Sequence, residues 1–363
     1  MYNALNITEC TQLVAAIGHT QTVLVEGHMG WGKSSMLTAL KRMFPKHLPC
    51  YFDCTTKDLG DIAIPNLIAA DSDSGFVRYL TNEELGMHHD QPIILMIDEY
   101  GKANPAVKNS LLRLIQERKI GSYTLHADSL QFATTNLGAE GVGDMLKPHS
   151  RNRMTIVPMR KPTNREWIEE WALHNNVEPT VMGWARDTPE MCDDFRDHAE
   201  PDANQYIYHP KSTRTSFVTG RSLEASSHLI KAYLAGDLSE NTLECALVGT
   251  IGAKAAQDLG AYVRLVGDIP KMEDIKNTPD KAKVPESISA VCMVVDKALM
   301  TVDHSWVNAW MTYMARLPRE AQAMFVNSLR KDTFPAERRD VVMTAKDMGQ
   351  WARDFGYLFT NDQ

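Results

Sequence analysis

At 363 residues the chain is longer than a single hydrophobic core usually supports, which predicts about two domains. Its 44% hydrophobic and 23% charged residues are those of an ordinary globular protein, and no apolar run is long enough to span a bilayer. A formal net charge of -8 weighs against indiscriminate binding to phosphate backbones. Cys10, Cys50, Cys54, Cys192, Cys245 and Cys292 form no C-x-x-C pair and no dense framework, so reduced, mostly buried thiols of a cytoplasmic protein are expected. The opening Met1–Asn6 lacks the basic and then apolar regions of a secretory signal.

In chain order, Asn6 to Glu9 carry a capping-box pattern, and Leu13, Ala16 and Ile17 give a helix that should end near Gly18. Thr22 to Glu26 is a short apolar, β-branched run that predicts a buried strand, and the Leu-rich run from Met36 to about Phe44 predicts a helix. Between them lie Gly27, His28, Met29, Gly30, Trp31, Gly32, Lys33, Ser34 and Ser35, which match the G-x-x-x-x-G-K-[ST] phosphate loop in its strand–loop–helix context. Glycines let successive backbone N–H groups converge on phosphate oxygens, and the helix N-terminus adds its positive dipole end. Lys33 is placed for the β- and γ-phosphates and the Ser34 hydroxyl for Mg2+. These residues predict a nucleoside triphosphate site.

Pro45 and Pro49 then break the pattern before a second strand, Cys50 to Asp53, and the stretch from Cys54 to His89 reads as irregular. Pro92 to Ile97 is apolar throughout, as a strand buried on both faces must be, and it ends in Asp98 and Glu99. Asp98 can enter a Mg2+ shell, and Glu99 can orient and deprotonate an attacking water. Asn104 to Lys119 predicts a helix with Pro105 in its first turn, followed by a hairpin over Ile120 to Phe132 that turns through His126 to Ser129. The strand Leu130–Thr135 ends at Asn136, which is either a ligand-facing polar residue at a strand tip or a turn-forming Asn. Arg151 and Arg153 precede a last strand, Met154 to Met159.

A capping box at Thr163 to Glu166 marks the change to helical periodicity, so residues 1–160 are expected to form the α/β nucleotide-binding core and 161–363 a helical region. Two interruptions are expected, a polar segment from Asp187 to Thr219 and a Pro- and charge-rich linker from Asp268 to Pro285. Helices are predicted from Gly220, over Leu243 to Leu265 with glycine breaks, and in four further runs, Ser287 to Met300, Trp306 to Leu317, Arg319 to Leu329 and Met343 to Tyr357. His88-His89-Asp90 reads as a solvated loop rather than a metal site.

The order of these motifs resembles the AAA+ ATPases, and the run from Asp98 to Arg118, with its acidic pair, Pro-containing helix start and Gln-Glu-Arg, resembles their MoxR-like branch. Gly252 to Pro270 is similar to the lid-helix segment of MoxR-like proteins found beside a von Willebrand A-type partner. The resemblance implies a P-loop AAA+ parallel αβα core with an all-helical lid and C-terminal helical region, and ATP with Mg2+ as the nucleotide and cation. It also implies a homo-oligomeric ring, commonly of six subunits, that hydrolyses ATP to remodel a client protein or complex. On that resemblance Asn136 takes the sensor 1 role, Arg221 the sensor 2 role, and Arg153, or else Arg151, the arginine finger acting on a neighbour's nucleotide. The family carries Pro where Gly220 stands. Read from the residues alone, Arg151 and Arg153 can equally pair with surface acids and Arg221 can be a solvated first-turn residue.

Two other functions compete, a DNA-associated motor or loader and a nucleotide-gated scaffold with little turnover. The acidic balance and the want of a Lys/Arg-rich tract weigh against nucleic acid. Measurable hydrolysis lost on removing Arg153 would exclude the scaffold. A small-molecule kinase fits less well, because Glu99 and Asn136 suit attack by water.

Overall fold

The apolar runs assemble into one parallel sheet in the computed structural model, which describes residues 4–66, 77–136, 148–265, 269–346 and 348–354. Of the stretches discussed above, Met1 to Asn3, Val266 to Asp268, residues 67–76 of the irregular segment and the end of the last helix lie outside the described residues. The chain divides into two compact units, Met1–Pro162 and Thr163–Gln363.

The first unit runs α1 (Ile7–Ile17), β1 (Val23–Glu26), α2 (Ser35–Met43), β2 (Leu48–Asp53), β3 (Ala63–Pro65), β4 (Tyr79–Thr81), β5 (Ile93–Asp98), α3 (Pro105–Glu117), β6 (Lys119–Ile120), β7 (Tyr123–Thr124), β8 (Leu130–Thr135), α4 (Pro148–Arg151) and β9 (Thr155–Pro158). The main sheet has the order β2-β5-β8-β1-β9, with every neighbouring pair parallel. All six residues of β5 and of β8 are buried, which is why neither strand alternates in sequence. Alternation in space survives: Leu24, Leu95 and Ile97 pack with Val107, Leu111 and Leu114 of α3, whereas Val23, Val25, Ile94 and Met96 pack with α1 and with Met36 and Leu40 of α2. Helices therefore cover both faces of the parallel sheet, which makes this unit a three-layered α/β core.

Two expectations in this unit need correction. β2 begins at Leu48 and contains Pro49, which a strand tolerates because β2 lies at the edge of the sheet. The hairpin after α3 is β6–β7, with Ile120 paired to Tyr123, so it turns at Gly121-Ser122; the expected turn at His126 to Ser129 instead leads into β8. The segment read as irregular also holds the small antiparallel pair β3–β4.

The second unit is helical: α5 (Asn164–Glu166), capped by Thr163, runs into a π-helical turn at Trp167–Trp171, followed by α6 (Pro179–Asp187), α7 (Gly220–Ala235), α8 (Glu240–Ile251), α9 (Ala253–Leu265), α10 (Met272–Asn277), α11 (Ile288–Thr301), α12 (Val307–Met314), α13 (Arg319–Arg330), α14 (Ala336–Met343) and α15 (Met348–Asp354). One core joins Trp184, Val294, Leu299, Trp310 and Phe325. Inside it, Arg186 Nη2 donates to both oxygens of the fully buried Asp296, at 3.0 and 2.8 Å. The predicted linker is corrected: part of it is α10, whose Met272 and Ile275 are buried in that core. Residues 187–219 hold only short helical turns, tied by side chains such as Asn204, whose Nδ2 donates to Glu190 O at 2.7 Å and Asp193 Oδ2 at 3.0 Å.

Candidate functional site

The loop after β1 is held at its root before it turns. Gly27 N donates to Thr135 O at 3.1 Å, and Met159 N donates to Glu26 O at 2.7 Å, so the strands on either side clamp its start. Gly30 and Gly32 have φ of 74° and 89°, a region that strains other L-residues. At Gly32 a Cβ would also come within 2.8 Å of Ile7 Cδ1, so α1 adds a steric reason for glycine. Trp31 is buried beneath the loop, with its ring edge-on to His28 at 4.8 Å. Met29, Gly30 and Ser34 face solvent. Ser35 Oγ donates to Gly32 O at 2.6 Å, while Ser34 caps α2 without a side-chain hydrogen bond to it.

Lys33 is buried, and its ammonium is held by three oxygens: Gly27 O at 2.7 Å, His28 O at 3.0 Å and Asn136 Oδ1 at 2.6 Å. Asn136 follows β8 directly, so this bond joins the loop to the tip of the neighbouring strand. The polar side chain of Asn136 thus points to the lysine.

Asp98 closes β5 and is buried. Its Oδ2 accepts from the Tyr51 hydroxyl at 2.8 Å, and its Oδ1 accepts from the Thr134 hydroxyl and from Glu99 N, the latter at 3.1 Å. Burial, together with the hydrogen bond to Asp98 and the charges of Asp98, Asp53 and Glu99, raises the Tyr51 phenol well above its usual pKa, so it stays a donor. Glu99 sits at φ 52°, in the left-handed region, which turns the chain sharply off the strand. Its Oε2 lies 3.2 Å from Lys102 Nζ, three residues on. A Cβ at Gly101 would fall 2.1 Å from Thr135 Oγ1, so only glycine lets this turn press against β8.

The two arginines before β9 part company. Arg151 Nη1 lies 3.4 Å from Glu26 Oε1, at the root of the loop in its own unit. Arg153 Nε donates to Gln116 Oε1 at 2.7 Å and lines a surface cavity of about 470 Å³ with Thr20, Gln21, Ile115, Gln116 and Asn152. Arg221 occupies the first turn of α7 in the second unit and is exposed.

The structure therefore brings Lys33, Asn136, Asp98 and Glu99 to the C-terminal ends of three adjacent strands, where α/β sheets place ligands. Sequence reading missed Tyr51, Thr134, Lys102 and Gln116. The donor set fits a nucleotide with its cation. Ser34 offers a hydroxyl not spent on capping, and three of the roughly four lone-pair sites of a carboxylate are used at Asp98. Among the described residues no group of three or more His, Cys, Asp or Glu could hold a metal, so a cation here needs phosphate oxygens to complete its shell.

No protein-family model matches the chain, and no curated protein matches it. Among solved structures the chain is similar to a presumptive ATPase from Cytophaga hutchinsonii ATCC 33406, with 14% identity and a TM-score of 0.35, over 71% of this chain and 88% of that one. A likeness so loose says nothing of function. No described helix is long and apolar enough to cross a membrane.

Proposed function

We propose that the chain is a Mg2+-dependent ATPase of the MoxR-like AAA+ branch, working as a homo-oligomeric ring, commonly of six copies, on a client protein or protein complex. The observation that supports this reading is the Lys33–Asn136 bond at 2.6 Å, which ties the lysine of the phosphate loop to the tip of β8, next in the sheet to β5, the strand that closes with Asp98. In this reading the backbone of Gly27–Ser35 surrounds the phosphates, and Lys33 trades its carbonyl partners for β- and γ-phosphate oxygens. Ser34 and Asp98 would hold the Mg2+, which when bound would supply positive charge to neutralise the phosphates. Glu99 takes a proton from the attacking water, which Asn136 helps to orient.

Arg153 is the finger given to the adjacent copy: Arg151 is engaged with Glu26 at the root of its own loop, whereas the partner of Arg153 is a neutral amide. Arg221 is the residue of the helical unit assigned to the γ-phosphate, and residues 161–363 serve as lid and C-terminal extension. A von Willebrand A-type protein is the partner to seek.

The test uses two variants and their mixture. Glu99→Gln should bind ATP and lose about 10²–10⁴ in turnover, and Arg153→Ala should lose about 10³–10⁵. Each variant keeps what the other lacks, so mixing them should restore hydrolysis well above either alone, because some sites then pair an intact Glu99 with an intact Arg153 from next door. Mixtures as inactive as their components would exclude the shared site.

A further inference from the structure

Tyr51 has no evident duty at the edge of the sheet, since it is 44% exposed and contributes little to the core. Its hydroxyl nevertheless reaches Asp98 Oδ2 at 2.8 Å. The β2–β5 register pairs Tyr51 with Met96 and Asp53 with Asp98, so Tyr51 spans a diagonal to a residue two places further along. Few side chains are long and stiff enough to do that while ending in a donor. The directly opposed residue, Asp53, is turned elsewhere: its Oδ1 accepts from Thr55 N at 2.9 Å and from Thr55 Oγ1 at 2.7 Å. The acid that would repel Asp98 is thus occupied in a turn, and a hydroxyl takes its place beside the carboxylate.

On the other side stands Thr134 of β8, whose hydroxyl donates to the second oxygen of Asp98. A carboxylate on a strand end otherwise rotates freely about its last, broad torsion. Here one hydroxyl from each flanking strand fixes one oxygen, and Glu99 N adds a third bond at 3.1 Å. The lone pair that remains then has a single direction.

We propose that Tyr51 is a positioning residue for the cation: it holds the Asp98 carboxylate in one orientation, so that Mg2+ arriving with the nucleotide meets a preset oxygen. This rests on the nucleotide-site reading given above. Hydrogen-bond partners of metal-ligating groups typically contribute 10–100-fold to metal affinity. Tyr51 also lies outside the loop, so its removal should act on the cation and leave the nucleotide's own contacts alone.

The experiment titrates Mn2+, as the probe, into the full chain saturated with ATP on ice, and follows bound Mn2+ by electron paramagnetic resonance. Tyr51→Phe removes the hydroxyl and keeps the ring. It should weaken Mn2+ binding about 10–100-fold, while ATP binding in excess EDTA, measured by calorimetry, stays at the wild-type value. Tyr51→Leu, lacking the ring as well, should lose no more Mn2+ affinity than Tyr51→Phe. Wild-type Mn2+ affinity in Tyr51→Phe, with Asp98→Asn weakened, would overturn the proposal. So would a Tyr51→Phe chain that melts normally but loses EDTA-insensitive ATP binding too, since the phenol would then act on the loop. A wild-type chain that binds no Mn2+–ATP, or whose ATP binding survives Lys33→Ala, would instead sink the nucleotide-site reading itself.

Discussion

Burial decides how single side chains behave around the site. Cys54, against the acidic strand ends, has its thiol pushed up to about 12, mainly by burial and then by Asp53, Asp98 and Glu99. Burial likewise raises Cys10 to about 12, with Glu9 adding to it, and Cys50 to about 11. Thiolate is the reactive form, and a raised pKa keeps these groups protonated at pH 8. A thiol reagent at pH 8 should therefore label the exposed Cys245 quickly and leave Cys10, Cys50 and Cys54 untouched until the chain unfolds, as mass spectrometry of digests would read out. At this scale the sequence discloses unevenly. Lys33 and Asp98 were legible because their neighbours in sequence supply the strand, loop and helix that give them meaning. Tyr51 was not, because its partner Asp98 is 47 residues away and only the β2–β5 register brings the two together. Arg118 marks the middle ground: it was read as part of a motif, and the structure gives its work, donating to Gly18 O at 3.0 Å and Ser129 O at 2.5 Å to tie the end of α1 to the start of β8.

Elements were legible where one signal ruled a whole stretch. The run Leu130–Thr135, read as one strand ending at Asn136, is β8 to the residue, and Asn104 with Pro105 starts α3. The misreadings came from short segments with mixed signals. Asp and Ser near His126 suggested a turn, and they do make one, yet the hairpin closes earlier, at Gly121-Ser122. The charges and prolines of 268–285 suggested a linker, but six residues there form α10, and a helix so short is held by packing rather than propensity. Ile275 has no exposed surface. Ile275→Ala should therefore cost the helical unit about 2–4 kcal/mol, measured as a shift of the urea midpoint with unchanged slope. A loss under about 0.5 kcal/mol, the usual range for surface sites, would return the segment to linker status.

Across the whole molecule, the two units have separate cores and different failure points. The helical unit depends on a buried charge pair: removing Asp296 leaves Arg186 uncompensated, so Asp296→Ala should cost about 3–5 kcal/mol. The α/β unit holds the proposed ligand, and saturating nucleotide at a hundred times its dissociation constant should add about 2.7 kcal/mol to its stability. Differential scanning calorimetry should show that gain in the wild-type chain and lose it in Lys33→Ala. A gain that persists without Lys33 would place the ligand elsewhere.

Trp31 lies sealed under the loop, touching His28, with Gly30 and Gly32, both at positive φ, on either side. Its indole therefore senses the pose of the backbone above it, and its emission should alter when that backbone is re-posed. With the other tryptophans replaced by phenylalanine, the unlabelled chain would carry its own optical gauge of occupancy.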